Sequence, residues 1–104
     1  MAAITLLSPT TSAAQSITFT VTSPEKPVTL VIASAAGHTA SEYSDLQITH
    51  DGSTFADVYS KGAQQRLSST NTVLQINAVG VYRVDKEATT NAVGVYLISR
   101  KYMP

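Results

Sequence analysis

Cysteine is absent from the 104 residues, so disulfides and thiolate metal sites are excluded and stability must come from packing and hydrogen bonds. Tryptophan is absent too, which removes the side chain most used to stack on sugar rings or to anchor an interface. Charge is scarce: 13% of residues are Asp, Glu, Lys or Arg, about half the usual share. Seven basic residues balance seven acidic ones, and the only adjacent charges of like sign are Arg100 and Lys101, so no extended field attracts nucleic acid or an anionic membrane. No stretch approaches the roughly 18 apolar residues of a membrane span. The opening MAAITLLSPTTSAA lacks the basic start and long apolar run of a secretory signal.

What is present is hydrophobic residue (43%), together with Ser and Thr, which make up roughly a quarter of the chain. Ser and Thr suit strands and turns better than helix interiors. The length fits one domain, residues 1–104, with a single core. So few charges protect poorly against association, which points to a protein that lives in an assembly.

Period-2 alternation dominates. In SITFTVT, residues 16–22, Ile17, Phe19 and Val21 point one way and the threonines the other. Pro24 and Pro27 then mark a turn, and Val28, Leu30 and Ile32 define a second, central strand. After a longer loop through His38, Leu46 and Ile48 alternate toward Asp51-Gly52, and Phe55 to Tyr59 return, which predicts a hairpin. Lys61-Gly62 predicts another turn, and QRLSS and NTVLQI supply further short strands. Strand candidates recur every 8 to 14 residues, with no helical stripe anywhere. The prediction is an all-β fold, an antiparallel β-sandwich or small barrel of about seven to nine short strands, with an immunoglobulin-like topology as one option.

The hexapeptide NAVGVY occurs twice, at residues 77–82 and 91–96. Two copies fourteen residues apart are too few and too close for a domain repeat. The expectation is one hairpin, Val79 to Asp85 against Ala92 to Lys101, with KEATTN as its loop. The first copy places Gly80 and Tyr82 two apart at the start of an apolar strand. This resembles the G-x-Y corner of immunoglobulin-like sandwiches, in which a tyrosine hydroxyl bonds back to the backbone between two strands. The cysteine usual after it is replaced by Val84.

No catalytic, metal or cofactor site is expected. His50 beside Asp51 reads as a solvated turn, and no serine sits in a G-x-S-x-G elbow. Glycines 37, 52, 62, 80 and 94 are too scattered to cradle phosphate. Glu42, Asp45, Asp51 and Asp57 lack the spacing of a calcium loop. Residues 49–55, THDGSTF, resemble the Asp-box turn of sialidases and other carbohydrate-active propellers, where the box is structural. Tyr43, Tyr59 and Tyr102 are candidates for exposed aromatics.

In style, a cysteine-free Ser/Thr/Ala-rich β chain ending in a G-V-Y-R-V strand pair looks like small structural proteins of tailed bacteriophages. The resemblance implies a non-enzymatic capsid decoration or cement protein on the virion surface, a homo-oligomer contacting capsid or other virion proteins. The termini are the expected contacts: Ile4, Leu6 and Leu7 in an N-terminal arm spanning residues 1–14, and Arg100, Lys101 and Tyr102 at the other end. The competing expectation for Ile4 to Leu7 is a first strand of the chain's own sheet. The alternative function is a glycan- or receptor-binding module of a fibre or adhesin.

Overall fold

A computed structural model describes residues 4–32 and 37–98. All regular structure there is β, apart from one 3-10 turn at Ser23–Glu25. Sheet one contains β1 (Ile4–Thr10), β4 (Val28–Ile32), β10 (Val73–Ile76) and β12 (Val93–Ile98), ordered β1-β12-β4-β10. Sheet two is built on β11 (Gly80–Lys86) and β5 (Ser44–Thr49). Its outer members are β2 (Ala14–Gln15) and β3 (Phe19–Val21) against β11, and β6 (Phe55–Asp57) and β9 (Arg66–Leu67) against β5. A small hairpin joins β7 (Tyr59–Ser60) to β8 (Ala63–Gln64). Every pairing is antiparallel. Twelve strands exceed the expected seven to nine because bulges and loops cut the outer ones into two- and three-residue pieces.

The two sheets bury a common apolar layer. Leu30, Val21, Val93 and Val95 are fully buried, with Leu46, Leu67, Tyr82 and Val84 nearly so. β4 is central as predicted, with β12 on one side and β10 on the other. Phe19 and Val21 keep the predicted phase, but the strand starts only at Phe19, and Ile17 stands 60% exposed. It is displaced because Ser16 takes over the ladder: its N–H donates to Val84 O and its hydroxyl accepts from Val84 N, both at 2.8 Å.

The predicted 44–57 hairpin forms, with Gln47, Ile48 and Thr49 opposite Asp57, Ala56 and Phe55. Its loop is the five residues 50–54 rather than a two-residue turn. Asp51 Oδ1 accepts from the backbone N–H of Ser53 and Thr54 at 2.9 and 2.8 Å, and Thr49 Oγ1 accepts from Gly52 N at 2.9 Å. The Lys61-Gly62 turn is the tight one. Both residues have positive φ, 53° and 82°, the left-handed pair that matches strand twist in a two-residue hairpin.

Two expectations fail. The first is the arm, since residues 4–10 are strand β1, paired with β12 from Ile4–Leu97 to Thr10–Val93. Register shifts between Thr5 and Leu7 and between Leu7 and Thr10 give β1 two extra residues, so adjacent Leu6 and Leu7 both turn inward, 4% and 8% exposed. Their apolar surface is spent on the domain's own core.

The second is the repeat. The two NAVGVY copies do not pair: β11 lies in sheet two, flanked by β5 and by β2 and β3, while β12 lies in sheet one between β1 and β4. Residues 87–92 cross the sandwich instead of closing a hairpin. The copies also bury opposite phases. Tyr82 is inward in the first and Val79 is 56% exposed; in the second Val93 and Val95 are inward and Tyr96 half-buried. The residues immediately after each copy set the phase. Arg83 and Asp85 must face water, which turns Tyr82 and Val84 inward, whereas Leu97 after the second copy extends the buried row of Val93 and Val95. This last strand also departs from immunoglobulin order, in which it would pair beside the tyrosine-bearing strand.

Candidate functional site

One end of the sandwich carries the chain's most unusual polar chemistry. His38 Nε2 lies 2.8 Å from Ser44 Oγ, in outline a nucleophile and base. Ser44 is 1% and His38 5% exposed, so no acyl group reaches the hydroxyl. Among the described residues His38 Nδ1 is buried without a hydrogen-bond partner, and burial holds the imidazole below its usual pKa, with Glu42 opposing this and Lys86 reinforcing it. Lys86 is itself 1% exposed, its Nζ donating to Ser12 O and Glu87 O at 2.9 and 3.0 Å. Burial also depresses the Lys86 pKa. These groups tie loops together. Glu42 adds to the knot by accepting from Thr39 N, Thr90 N and Thr90 Oγ1, and those bonds pull its carboxyl down to about 2. Tyr43 N donates to Glu87 Oε1 at 2.6 Å.

The carboxylates considered from sequence are engaged separately. Asp45 pairs with Arg66 Nε at 2.8 Å, Asp51 shapes its own loop, and Asp57 accepts from Gln47 at 3.0 Å. Among the described residues no three of His, Cys, Asp or Glu are placed to hold a metal. Ile4, Leu6 and Leu7 belong to or pack against the core, and Arg100, Lys101 and Tyr102 lie outside the described residues. Gly80 and Tyr82 form a corner: the Tyr82 hydroxyl donates to Ala78 O at 2.8 Å, and its ring stacks on Phe19 with centroids 5.9 Å apart.

Two surfaces remain that could meet a partner. The first is the outer face of sheet one. None of its four strands contains an Asp, Glu, Lys or Arg. Register places Thr5, Tyr96, Val31 and Val73 side by side across the face, with Ile98, Thr29 and Gln75 in the next row. Sheet two is the opposite, its strands holding Arg83, Asp85, Lys86, Asp45, Asp57 and Arg66. There Arg83 lies 3.8 Å over the Phe55 ring and Arg66 4.0 Å over the Tyr43 ring.

Compared with known protein families, curated proteins and solved structures, the chain finds no match.

The second surface is a cleft of about 220 Å³ where the sheets part beside the tyrosine corner. Leu46, Val58, Ile76 and Tyr82 form its apolar lining. Tyr59, 62% exposed, lines it together with Ser60, Gln65, Gln75, Asn77 and Ala78. Tyr59 was legible as a candidate aromatic. The amides were not, because Gln65 and the pair Gln75 and Asn77 come from two separate stretches and meet only after folding. The uncharged face did leave a sequence signal: ITLLSPT, VTLVI, VLQI and VGVYLI, four to seven residues each, are all without charge.

Proposed function

We propose that the chain is a non-enzymatic structural component of a bacteriophage particle, of the capsid decoration type, which attaches to shell subunits through the outer face of sheet one. The observation that supports this is the separation of charge: one broad sheet face has none, and the other carries charges held by hydrogen bonds and aromatic rings. Burying an uncharged face against an apolar partner strips water from no ion, so modest area still yields net attraction. Many symmetric copies then turn a weak contact into durable attachment. The charged face of sheet two is left to water.

The test is co-sedimentation of the purified chain with emptied phage shells. A Thr5→Asp/Val73→Asp double variant charges exposed positions at both margins of sheet one and is expected to lose retention while keeping its circular dichroism spectrum. Asp57→Lys on sheet two is expected to bind as the parent does. Retention unaffected by the double variant rejects the face, and no retention of the parent on any shell rejects the particle assignment.

A second reading, a glycan- or receptor-binding module, is favoured by the cleft at Tyr59 alone.

A further inference from the structure

We propose that the Tyr59 cleft is a subsite for one ring of a neutral saccharide. The inference rests on the second reading, that the cleft binds something, and does not depend on attachment to a shell.

None of the ten residues lining the cleft is charged. An ionic ligand would there lose water without gaining a counter-charge, which disfavours phosphate, carboxylate and sulfate groups. A purely apolar ligand would cover Asn77, whose amide makes no hydrogen bond within the described residues. Each amide carries two donors and an acceptor with two lone pairs. Covering such an amide with hydrocarbon takes these groups out of water and leaves them without partners. A ligand rich in hydroxyls avoids both penalties, since every hydroxyl donates and accepts and the amides and the Ser60 hydroxyl answer in kind.

Shape agrees with chemistry. The cleft is below the ~300–1,000 Å³ of drug-sized pockets, which limits it to a single ring rather than a long chain. Tyr59 supplies a wide, exposed ring for the apolar C–H face of a sugar, and its hydroxyl has only a long 3.4 Å contact, to Gln64 Oε1. The opposite wall is fixed in place. Tyr82 spends its hydroxyl on Ala78 O, which holds residues 77–78 at the cleft while the hydroxyl itself stays out of recognition. Backbone near Tyr59 is likewise fixed: Val58 N donates to Leu46 O and Gln65 N to Val58 O, at 3.0 and 2.8 Å. The polar groups thus stand on rigid elements, as weak, selective binding requires.

The test is a screen of neutral oligosaccharides, with sialylated and sulfated ones alongside, followed by amide-resolved NMR titration of the full chain with the best neutral hit. Shifts at Tyr59, Ser60, Gln65, Gln75 and Asn77 are expected. Tyr59→Ala is expected to weaken binding about tenfold or more while Tyr59→Phe stays close to the parent, because the ring stacks and the hydroxyl is peripheral. Tyr59 is exposed, so both variants keep the fold, which the same spectra check. A sugar that binds but shifts other residues, or that binds Tyr59→Ala equally well, overturns the site. Binding confined to sialylated or sulfated sugars overturns the neutral assignment. If no sugar binds but shell protein shifts the same cleft residues, the saccharide is wrong and the binding module survives. If nothing moves those signals, both fall.

Discussion

The two copies of NAVGVY offer a comparison that most proteins lack: the same substitution in the same six-residue context, with structure making the difference. Tyr82 is 1% exposed and its hydroxyl donates to Ala78 O at 2.8 Å. Tyr96 is half-buried, and its hydroxyl makes no hydrogen bond within the described residues. Replacing either with Phe removes one oxygen and keeps the ring, so the stack of residue 82 on Phe19 survives. At position 82 the loss is one buried hydrogen bond, net about 0.5–1.5 kcal/mol, plus a share of the cost of leaving the Ala78 carbonyl short of a partner. A total of about 1–2 kcal/mol is expected for Tyr82→Phe and within ~0.5 kcal/mol for Tyr96→Phe. For a domain of this size, each kcal/mol lowers Tm by about 4–8 °C. Thermal unfolding by circular dichroism, with urea titration as a second measure, separates the two variants. Equal losses, or a Tyr82→Phe loss below ~0.5 kcal/mol, would refute both the corner and the opposite burial of the two copies.

Gly94→Ala is expected to destabilise by about 1–3 kcal/mol, because the added Cβ would stand 3.0 Å from Leu7 O and the Pro9 ring; urea unfolding with an unchanged midpoint would show that β1 does not press on β12 there. Gly62→Ala is expected to cost about 1 kcal/mol without any clash, since only its φ of +82° is at stake, and a neutral effect would argue against the left-handed turn. Acidification should lower stability in two stages. The His38 pKa lies below its ordinary 6.5, so the unfolded chain takes up the proton first and stability falls as pH drops through and below 6.5. Glu42, ordinarily 4.5 and here about 2, then withdraws its contribution as pH falls from 4.5 toward 2. Melting curves between pH 7.5 and 2.5 check this, and His38→Gln should flatten the first stage alone; a Tm that is level below pH 6.5 would refute it.

Alternation made the all-β architecture legible, and it did so best where a strand is buried on one face. Val28, Leu30, Leu46 and Val21 occupy the inward positions that period 2 assigns. Pairing was less legible, because a strand's pattern says which face is buried and not which neighbour it joins. Residues 87–92 are long enough either to close a hairpin or to cross to the other sheet, and nothing in EATTNA distinguishes the two. Ile4 to Leu7 failed for a different reason. With Leu6 and Leu7 adjacent, a strict strand would expose one of them, and only the bulge opposite Tyr96 and Val95 turns both inward. Buried His38 and Lys86 were hidden because polar residues between strands read as solvated loop, and their burial depends on residues 12, 44 and 87 arriving from three directions.

The position of β12 bears on how the chain acquires its shape. Val93–Ile98 comes last among the described strands, yet it sits inside sheet one between β1 and β4. Until that segment leaves the ribosome, β1 has no neighbour, and Leu6, Leu7 and Leu30 lack the valines that cover them. Sheet two can pair earlier, since β2, β3, β5, β6, β9 and β11 all precede residue 87. Half of the sandwich therefore waits on the synthesis of Val93–Ile98, closing around contacts more than eighty residues apart such as Thr10 with Val93. Folding of this kind is slow for its length and leaves an apolar half-sheet uncovered in the nascent chain, the stage at which a chaperone or an early partner has the most to protect.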